Sequence, residues 1–456
     1  MDIMNVIFVT AFLDLHEDRS ADRTAQRRIE LFNILNSTGV RIHLFISPEY
    51  VDKVNITNGV KEVISLEDLE TYKCSPQGLP ETRNIQHDTR NFLILMNAKI
   101  EFVYRAIHSG YHSSQHYAWI DFNIFHILDP IRGAQRIHEL STRMYPNTCM
   151  YVPGCWDKNV TWSSVNWRFC GGFFLGDVES LSMFRRIHAR EYPNCPHLSW
   201  EVNVWAYLES LGWTPSWYAA DHNNRILDVP PLPIVASLTT IPPRQSECKA
   251  SIDSLINQVD HIYLAVSTEY NRFGSFAPPD YLKSEPYASK VTVCIGNDYG
   301  PASKYIGTTP PNDIWVFICD DDQEYAPDLI DRMRASITTH GVYQNHYESI
   351  KQKTSGGMVH GYVGNLIHSS VLEGLRSFPL PDCARFVDDQ WVSMFCKIRG
   401  ISVMPTGVEA YSEIFKVTQN GHEKLGTHSL SGLNTRAEMV RKLESFYGIY
   451  FTDKKC

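Results

Sequence analysis

The chain has 456 residues, of which 43% are hydrophobic and 20% charged, and its formal net charge is −9. That is ordinary globular composition, which excludes a disordered, collagen-like or coiled-coil chain, and the acidic balance argues against a nucleic-acid binder. At roughly 150 residues per domain, the length allows two or three domains.

The N-terminal apolar run has no basic region before it and stops at Asp14. It reads as a first strand rather than a signal peptide. No stretch approaches the roughly 18 apolar residues that a bilayer span needs. The expectation is a chain with no membrane span, cytoplasmic, or in the host cytoplasm if viral. Val6–Thr10 is the first predicted strand. Ile29, Phe32 and Leu35 recur at helical spacing over Arg27–Leu35, and Gly39 closes that helix. Arg41–Ile46 follows as a strand. The polar cluster His87–Asn91 reads as a cap on a helix over Phe92–Arg105. Tyr117–Ile120 is an aromatic strand running straight into Asp121. Eleven cysteines without a Cys-x-x-Cys spacing suggest reduced thiols. Cys149, Cys155, Cys170, Cys195 and His197 form a loose cluster, but its spacings fit no familiar zinc pattern.

The first half closes with a helix from Glu201 to a stop at Gly212 and a strand over Trp213–Trp217. Asp228–Pro233 then places three prolines in six residues, which marks a linker. It divides the chain into domains 1–229 and 230–456. The second half repeats the plan: a strand from Ile234 into Thr239 and Thr240, a helix over Cys248–Ile256, a strand over His261–Val266, and an apolar strand Ile314–Ile318 ending in Asp320, Asp321 and Asp322. A helix from Asp389 to Gly400 and a strand over Ile401–Met404 follow. Glu201 to Gly212 and Asp389 to Gly400 are both eleven positions, so this count pairs Glu201 with Asp389. Alternating strands and helices predict two tandem α/β domains with mostly parallel sheets.

The acids at strand ends carry the chemistry, because ligands of open α/β sheets bind at the carboxyl ends of strands. Asp320 and Asp322, at alternate positions, can present oxygens to one hard divalent cation. The competing explanation is an acidic turn before the next helix. Asp388 and Asp389 open a helix; they either cap it or supply a general base.

Four ordered motifs in residues 234–430 resemble GT-A glycosyltransferases of the family 2 type: Ser237–Arg244, Asp298–Lys304, Cys319–Tyr325 and Val387–Gln390. The resemblance implies a Rossmann-type GT-A fold and a UDP- or GDP-sugar donor. It implies nucleotide contacts at Thr239, Thr240, Arg244 and Asp298, with Asp321 on the donor side and Lys304 near phosphate or acceptor. It further implies Mn²⁺ or Mg²⁺ on Asp320 and Asp322, a late histidine ligand at His422 or, preferred, His428, and Asp389 as the base of an inverting transfer. The family usually has Glu-Asp where this chain has Asp388-Asp389.

The first half resembles HtrL/YibB-type proteins through Val9–Asp14, the Arg27-Arg28 helix, Trp119–Asn123, Gly171–Gly176 and Trp200-Glu201. By this resemblance Thr10, Gly171 and Gly172 lie on the donor side, Asp121 and Asn123 stand where the second half has its metal acids, and Glu201 is the catalytic acid. Asn123 in place of a second carboxylate would hold metal more weakly. Trp156, Trp162 and Trp167, set among polar residues, suggest an acceptor platform. Together the halves imply a bifunctional enzyme of bacterial or large-DNA-virus type, moving two sugars onto one glycan acceptor. Two alternatives stand beside it. In one, the first half is a glycan-binding or scaffolding module and only the second half is catalytic. In the other, the chain is a metal-dependent nucleotidyltransferase, which would call for a glycine-rich phosphate loop that neither first strand supplies.

Overall fold

The computed structural model describes residues 4–13, 24–337, 341–346, 359, 364–409, 415–417 and 436–450. The chain forms two compact units, residues 1–231 and 232–456, and the division falls inside the proline run.

In the first unit seven strands make one sheet: β1 (Val6–Phe12), β2 (Ile42–Ile46), β3 (Gly59–Val63), β4 (His116–Ile120), β5 (Met150–Gly154), β6 (Phe173–Asp177) and β7 (Ser216–Ala219). Their order is β3-β2-β1-β4-β6-β5-β7. The second unit has β8 (Ile234–Thr239), β9 (His261–Ser267), β10 (Val291–Gly296), β11 (Trp315–Ile318), β12 (Val342–His346), β13 (Asn365–His368) and β14 (Val403–Glu409). Their order is β10-β9-β8-β11-β13-β12-β14. Each strand of the second sheet therefore stands where the strand seven numbers earlier stands in the first. The directions match as well. β4 and β11 pair parallel with β1 and β8, and β6 and β13 run antiparallel to both their neighbours. Both units are α/β folds with mostly parallel sheets.

The central strands are apolar on both faces because helices cover both faces. Along β1 and β4 the side chains alternate. Ile7, Val9, Tyr117 and Trp119 join one core, and Val6, Phe8, Ala118 and Ile120 the other. Helix starts follow their caps. Thr24 accepts from Arg27 N–H at 3.2 Å and begins Ala25–Ser37. Thr89 accepts from Phe92 N–H at 3.3 Å and begins Arg90–Asn97, so the polar cluster there is a cap.

The helix expected over Phe92–Arg105 is instead two, Arg90–Asn97 and Lys99–His108, jointed at Ala98. The strands expected at Trp213–Trp217 and Ile401–Met404 lie later, at Ser216–Ala219 and Val403–Glu409. No helix among the described residues is long and apolar enough to cross a membrane.

Candidate active site

In each sheet the winding reverses between the first strand and its fourth, β1 beside β4 and β8 beside β11. That is the switch point at which open α/β sheets bind ligands. Asp121 follows β4, and Asp320–Asp322 follow β11.

In the first unit a buried lysine joins the strand-end acid to a helix-start acid. Lys99 Nζ lies 3.1 Å from Asp121 Oδ1 and 2.9 Å from Glu201 Oε1, and it donates to Gly171 O at 2.9 Å. Glu201 is the first residue of the helix Glu201–Ser210. Trp119 Nε1–H donates to Asp121 Oδ1 at 2.8 Å, and Asp121 N–H to Gly172 O at 3.0 Å. Gly171 is required for space: a Cβ there would lie 2.0 Å from Glu201 Oε1. Burial works against the ammonium of Lys99, and Asp121 and Glu201 together outweigh it, raising its pKa above the lysine value.

The second unit repeats the device. Lys304, in the short helix Ser303–Ile306, has its Nζ 2.6 Å from Asp320 Oδ1 and 3.0 Å from Asp388 Oδ2. Its helix is tied to β8, where Ser237 Oγ–H donates to Lys304 O at 2.6 Å. Burial again opposes the charge, and Asp320 and Asp388 hold the Lys304 pKa well above the ordinary value. Beside this bridge, Arg244 Nη1 lies 2.9 Å from Asp321 Oδ1 and 3.1 Å from Asp322 Oδ2. Thr240 Oγ1–H donates to Asp321 Oδ2 at 2.7 Å, and Gln323 Nε2–H to Asp322 Oδ1 at 3.0 Å. Burial pushes the Asp321 carboxyl up to about 6, with Arg244 opposing and Asp322 adding to the rise.

The sequence-predicted residues divide on this geometry. The structure brings together Asp320, Asp321, Asp322, Arg244, Lys304, Asp388 and Thr240 in one unit, and Asp121, Gly171, Gly172 and Glu201 in the other. Lys304 is buried and ion-paired, not a surface lysine. Asp389 is 7% exposed, and its charge acts on Lys304 and Tyr305. Thr239 is half-buried and donates to Ala265 O at 2.9 Å. Asp298 accepts from Asn271 N–H at 3.0 Å and Gly300 N–H at 2.9 Å, which organises the Gly300 turn. Asn123 is half-buried on the turn after Asp121.

Three expectations are corrected. Thr10 is fully enclosed within β1, so it does not present a donor contact, and Thr240, 1% exposed, spends its hydroxyl on Asp321. The three tryptophans do not form one platform. Trp162 packs against His197 and Tyr207, while Trp156 and Trp167 remain exposed. The eleven-residue count also misaligns the two helices by one residue. The lysine-paired acid opens each helix, at Glu201 and at Asp388, and Asp388–Arg399 is two residues longer than Glu201–Ser210. His422 and His428 lie outside the described residues.

Lys99 was not legible in the sequence. Its signal is weak but real: a cation in the first turn of a helix opposes the helix dipole and needs carboxylates to hold it there.

The order of strands and the acids at the switch point define two Rossmann-type α/β units with polar, ion-linked sites. No protein-family model matches the chain, and no curated protein does. Solved structures similar to about half of the chain include a glycosyltransferase involved in the glycosylation of the major capsid of PBCV-1, at 10% identity over 47% of this chain and 81% of that one, with a TM-score of 0.27. Glucosyl-3-phosphoglycerate synthase from Mycobacterium tuberculosis, solved with Mn²⁺, UDP and phosphoglyceric acid, matches at 14% identity over 49% of this chain and 80% of that one, with a TM-score of 0.31. The 4-diphosphocytidyl-2C-methyl-D-erythritol synthase from Anaerococcus prevotii matches at 13% identity over 44% and 99%, with a TM-score of 0.28.

Proposed function

We propose that the chain is a bifunctional glycosyltransferase in which each unit moves a sugar from a nucleotide-sugar to a glycan acceptor. The observation that carries this reading is the lysine-linked acid pair at the switch point of both sheets, joined to the four family 2-like motifs of the second unit.

In the second unit five carboxylates (Asp320, Asp321, Asp322, Asp388, Asp389) meet two cations, Lys304 and Arg244. This local surplus of negative charge suits Mn²⁺ or Mg²⁺, and the hard oxygen donors fit such an ion. Asp320, with 28% of its side chain exposed, is the acid a cation reaches first. Asp322 joins it only by giving up Arg244. When bound, the cation neutralises the diphosphate leaving group.

The chain's own residues then have separate work. Lys304 holds Asp320 and Asp388 at a fixed spacing. Arg244, released from the acids, offers a guanidinium to phosphate oxygens. Asp389, the helix-start acid beside the Lys304 bridge, takes the proton of the acceptor hydroxyl, because Asp388 is engaged by the Lys304 ammonium at 3.0 Å. A single displacement on this plan inverts the anomeric centre. In the first unit Asp121 takes the place of Asp320, and Glu201, paired with Lys99, that of Asp388.

The test is a panel of UDP- and GDP-sugars read as diphosphate release, with and without Mn²⁺. Asp320→Ala and Asp389→Asn should each abolish the second unit's transfer and leave the first unit's in place. Full transfer by both variants would end this reading, and sugar-1-phosphate-dependent release of pyrophosphate from a nucleoside triphosphate would replace it with nucleotidyl transfer.

A further inference from the structure

The first unit carries a second constellation, built where three chain segments meet beyond the ends of β5 and β7. Residues 155–167 leave the end of β5 and return, and backbone hydrogen bonds close the excursion. Cys170 N–H donates to Pro153 O at 2.7 Å, Cys155 N–H to Trp167 O at 3.0 Å, and Ala220 N–H, just past β7, to Gly154 O at 2.8 Å. Gly154 permits this approach, since a Cβ there would lie 1.8 Å from Arg168 O.

These bonds fix four side chains, three with soft or borderline ligand atoms and one with a hard carboxylate oxygen. Cys155 Sγ lies 3.6 Å from Cys170 Sγ and 3.6 Å from Asp221 Oδ1. Cys170 Sγ lies 3.7 Å from His222 Nδ1, and that nitrogen lies 3.8 Å from Asp221 Oδ1. The sulfurs and the imidazole nitrogen are all within 4.8 Å of one another. An ion with Zn–S near 2.3 Å and Zn–N near 2.0–2.1 Å, bonded tetrahedrally, separates two sulfurs by about 3.8 Å and sulfur from nitrogen by about 3.6 Å. The Cys155–Cys170 and Cys170–His222 separations therefore already stand close to the edges of a zinc tetrahedron.

We infer that Cys155, Cys170 and His222 bind one Zn²⁺, with Asp221 or a water in the fourth position. Two thiols and an imidazole select zinc over Mn²⁺ or Mg²⁺, which prefer oxygen, so this site is chemically distinct from the acid pairs. On binding, the two thiols each lose a proton to solvent, and sulfur–zinc and nitrogen–zinc bonds replace the sulfur contacts. The ion pins the base of the loop that carries Trp156 and Trp167; Trp167 already stands edge-on to His222 at 4.4 Å. It also fixes Cys170, whose neighbour Gly171 supplies a carbonyl to Lys99.

The test is a Co²⁺ titration of the full chain, purified without a histidine tag and kept reduced. One equivalent should produce a sulfur-to-cobalt charge-transfer band with tetrahedral visible bands, and Zn²⁺ should displace it. His222→Ala, at a half-exposed position, should keep its melting temperature in the apo form and bind Co²⁺ at least about 100-fold more weakly, beyond what losing an outer partner costs. Cys155→Ser should lower the charge-transfer intensity. The inference is overturned if thiol counting finds Cys155 and Cys170 reduced and no charge-transfer band develops. It is equally overturned if a Cys155–Cys170 disulfide persists in reductant, or if His222→Ala binds as tightly as the parent chain.

Discussion

The two buried lysines are the residues on which the sites turn. Lys99 and Lys304 are each enclosed, and each is held charged by two carboxylates. Removing one partner of such a cluster costs more than the cluster contributes, because the remaining charges stay buried. Lys304→Met should destabilise the second unit by about 3 kcal/mol, the low end of that range since Asp320 keeps some exposure, as read from urea denaturation at constant slope. Lys99→Met should do the same to the first unit. Asp321 supplies a pH signature. Its pKa rises on folding from 3.8 to about 6. Between those values the folded chain holds a proton that the unfolded chain has lost, so this group's contribution to stability falls as pH rises through the window. Asp321→Asn removes that contribution. The stability of the parent chain minus that of the variant should decline from pH 4 to pH 7, and two parallel curves would exclude the effect. At this scale the sequence was a partial guide. It exposed Asp320–Asp322 because an apolar strand ran into them. It did not expose Lys99, whose partners are 22 and 102 positions away along the chain.

Among the elements, close approach decides what the spacing alone leaves open. Gly171 and Gly172 look equivalent in the sequence, but they are not equivalent in the fold. A Cβ on Gly171 meets the Glu201 carboxylate at 2.0 Å, whereas one on Gly172 meets Ile124 at 3.2 Å and Asp121 at 3.5 Å. Gly171→Ala should therefore push Glu201 off Lys99 and cost about 1–3 kcal/mol, the usual range for overpacking, with Gly172→Ala well below that. Thermal melts of the two variants check the ranking, and equal melting temperatures would show that Glu201 moves aside freely. Element type and order were legible from periodicity. Ends were less so. A break at Ala98 is invisible to a hydrophobic pattern that continues through it. The stop glycines lie at different distances past the last helical turn, so a count from acid to glycine paired Glu201 with Asp389 when the ion pairs place it with Asp388.

For the whole molecule, the repeat is one of topology. Both sheets have the same strand order and the same directions, and each has its own buried core. Residues 1–231 and 232–456, expressed separately, should each fold on their own, as a domain with its own core can, which circular dichroism and a thermal melt of each would check. In the full chain Asp121→Ala and Asp320→Ala should remove different products from a mixed nucleotide-sugar assay. If Asp121→Ala changes nothing, the first unit is a binding module and the second alone is catalytic.

The sequence by itself determined the α/β class, the division at the proline run and the acids at the strand ends. These are local properties: periodicity, proline geometry, and polarity changing abruptly at the end of an apolar strand. Only the tertiary structure decided which charges meet. The lysine bridges, the Arg244 network and the meeting of Cys155, Cys170 and His222 join residues from 15 to 102 positions apart. Their partners are chosen by burial, which makes an unpaired charge or thiol contact visible only once the chain has folded around it.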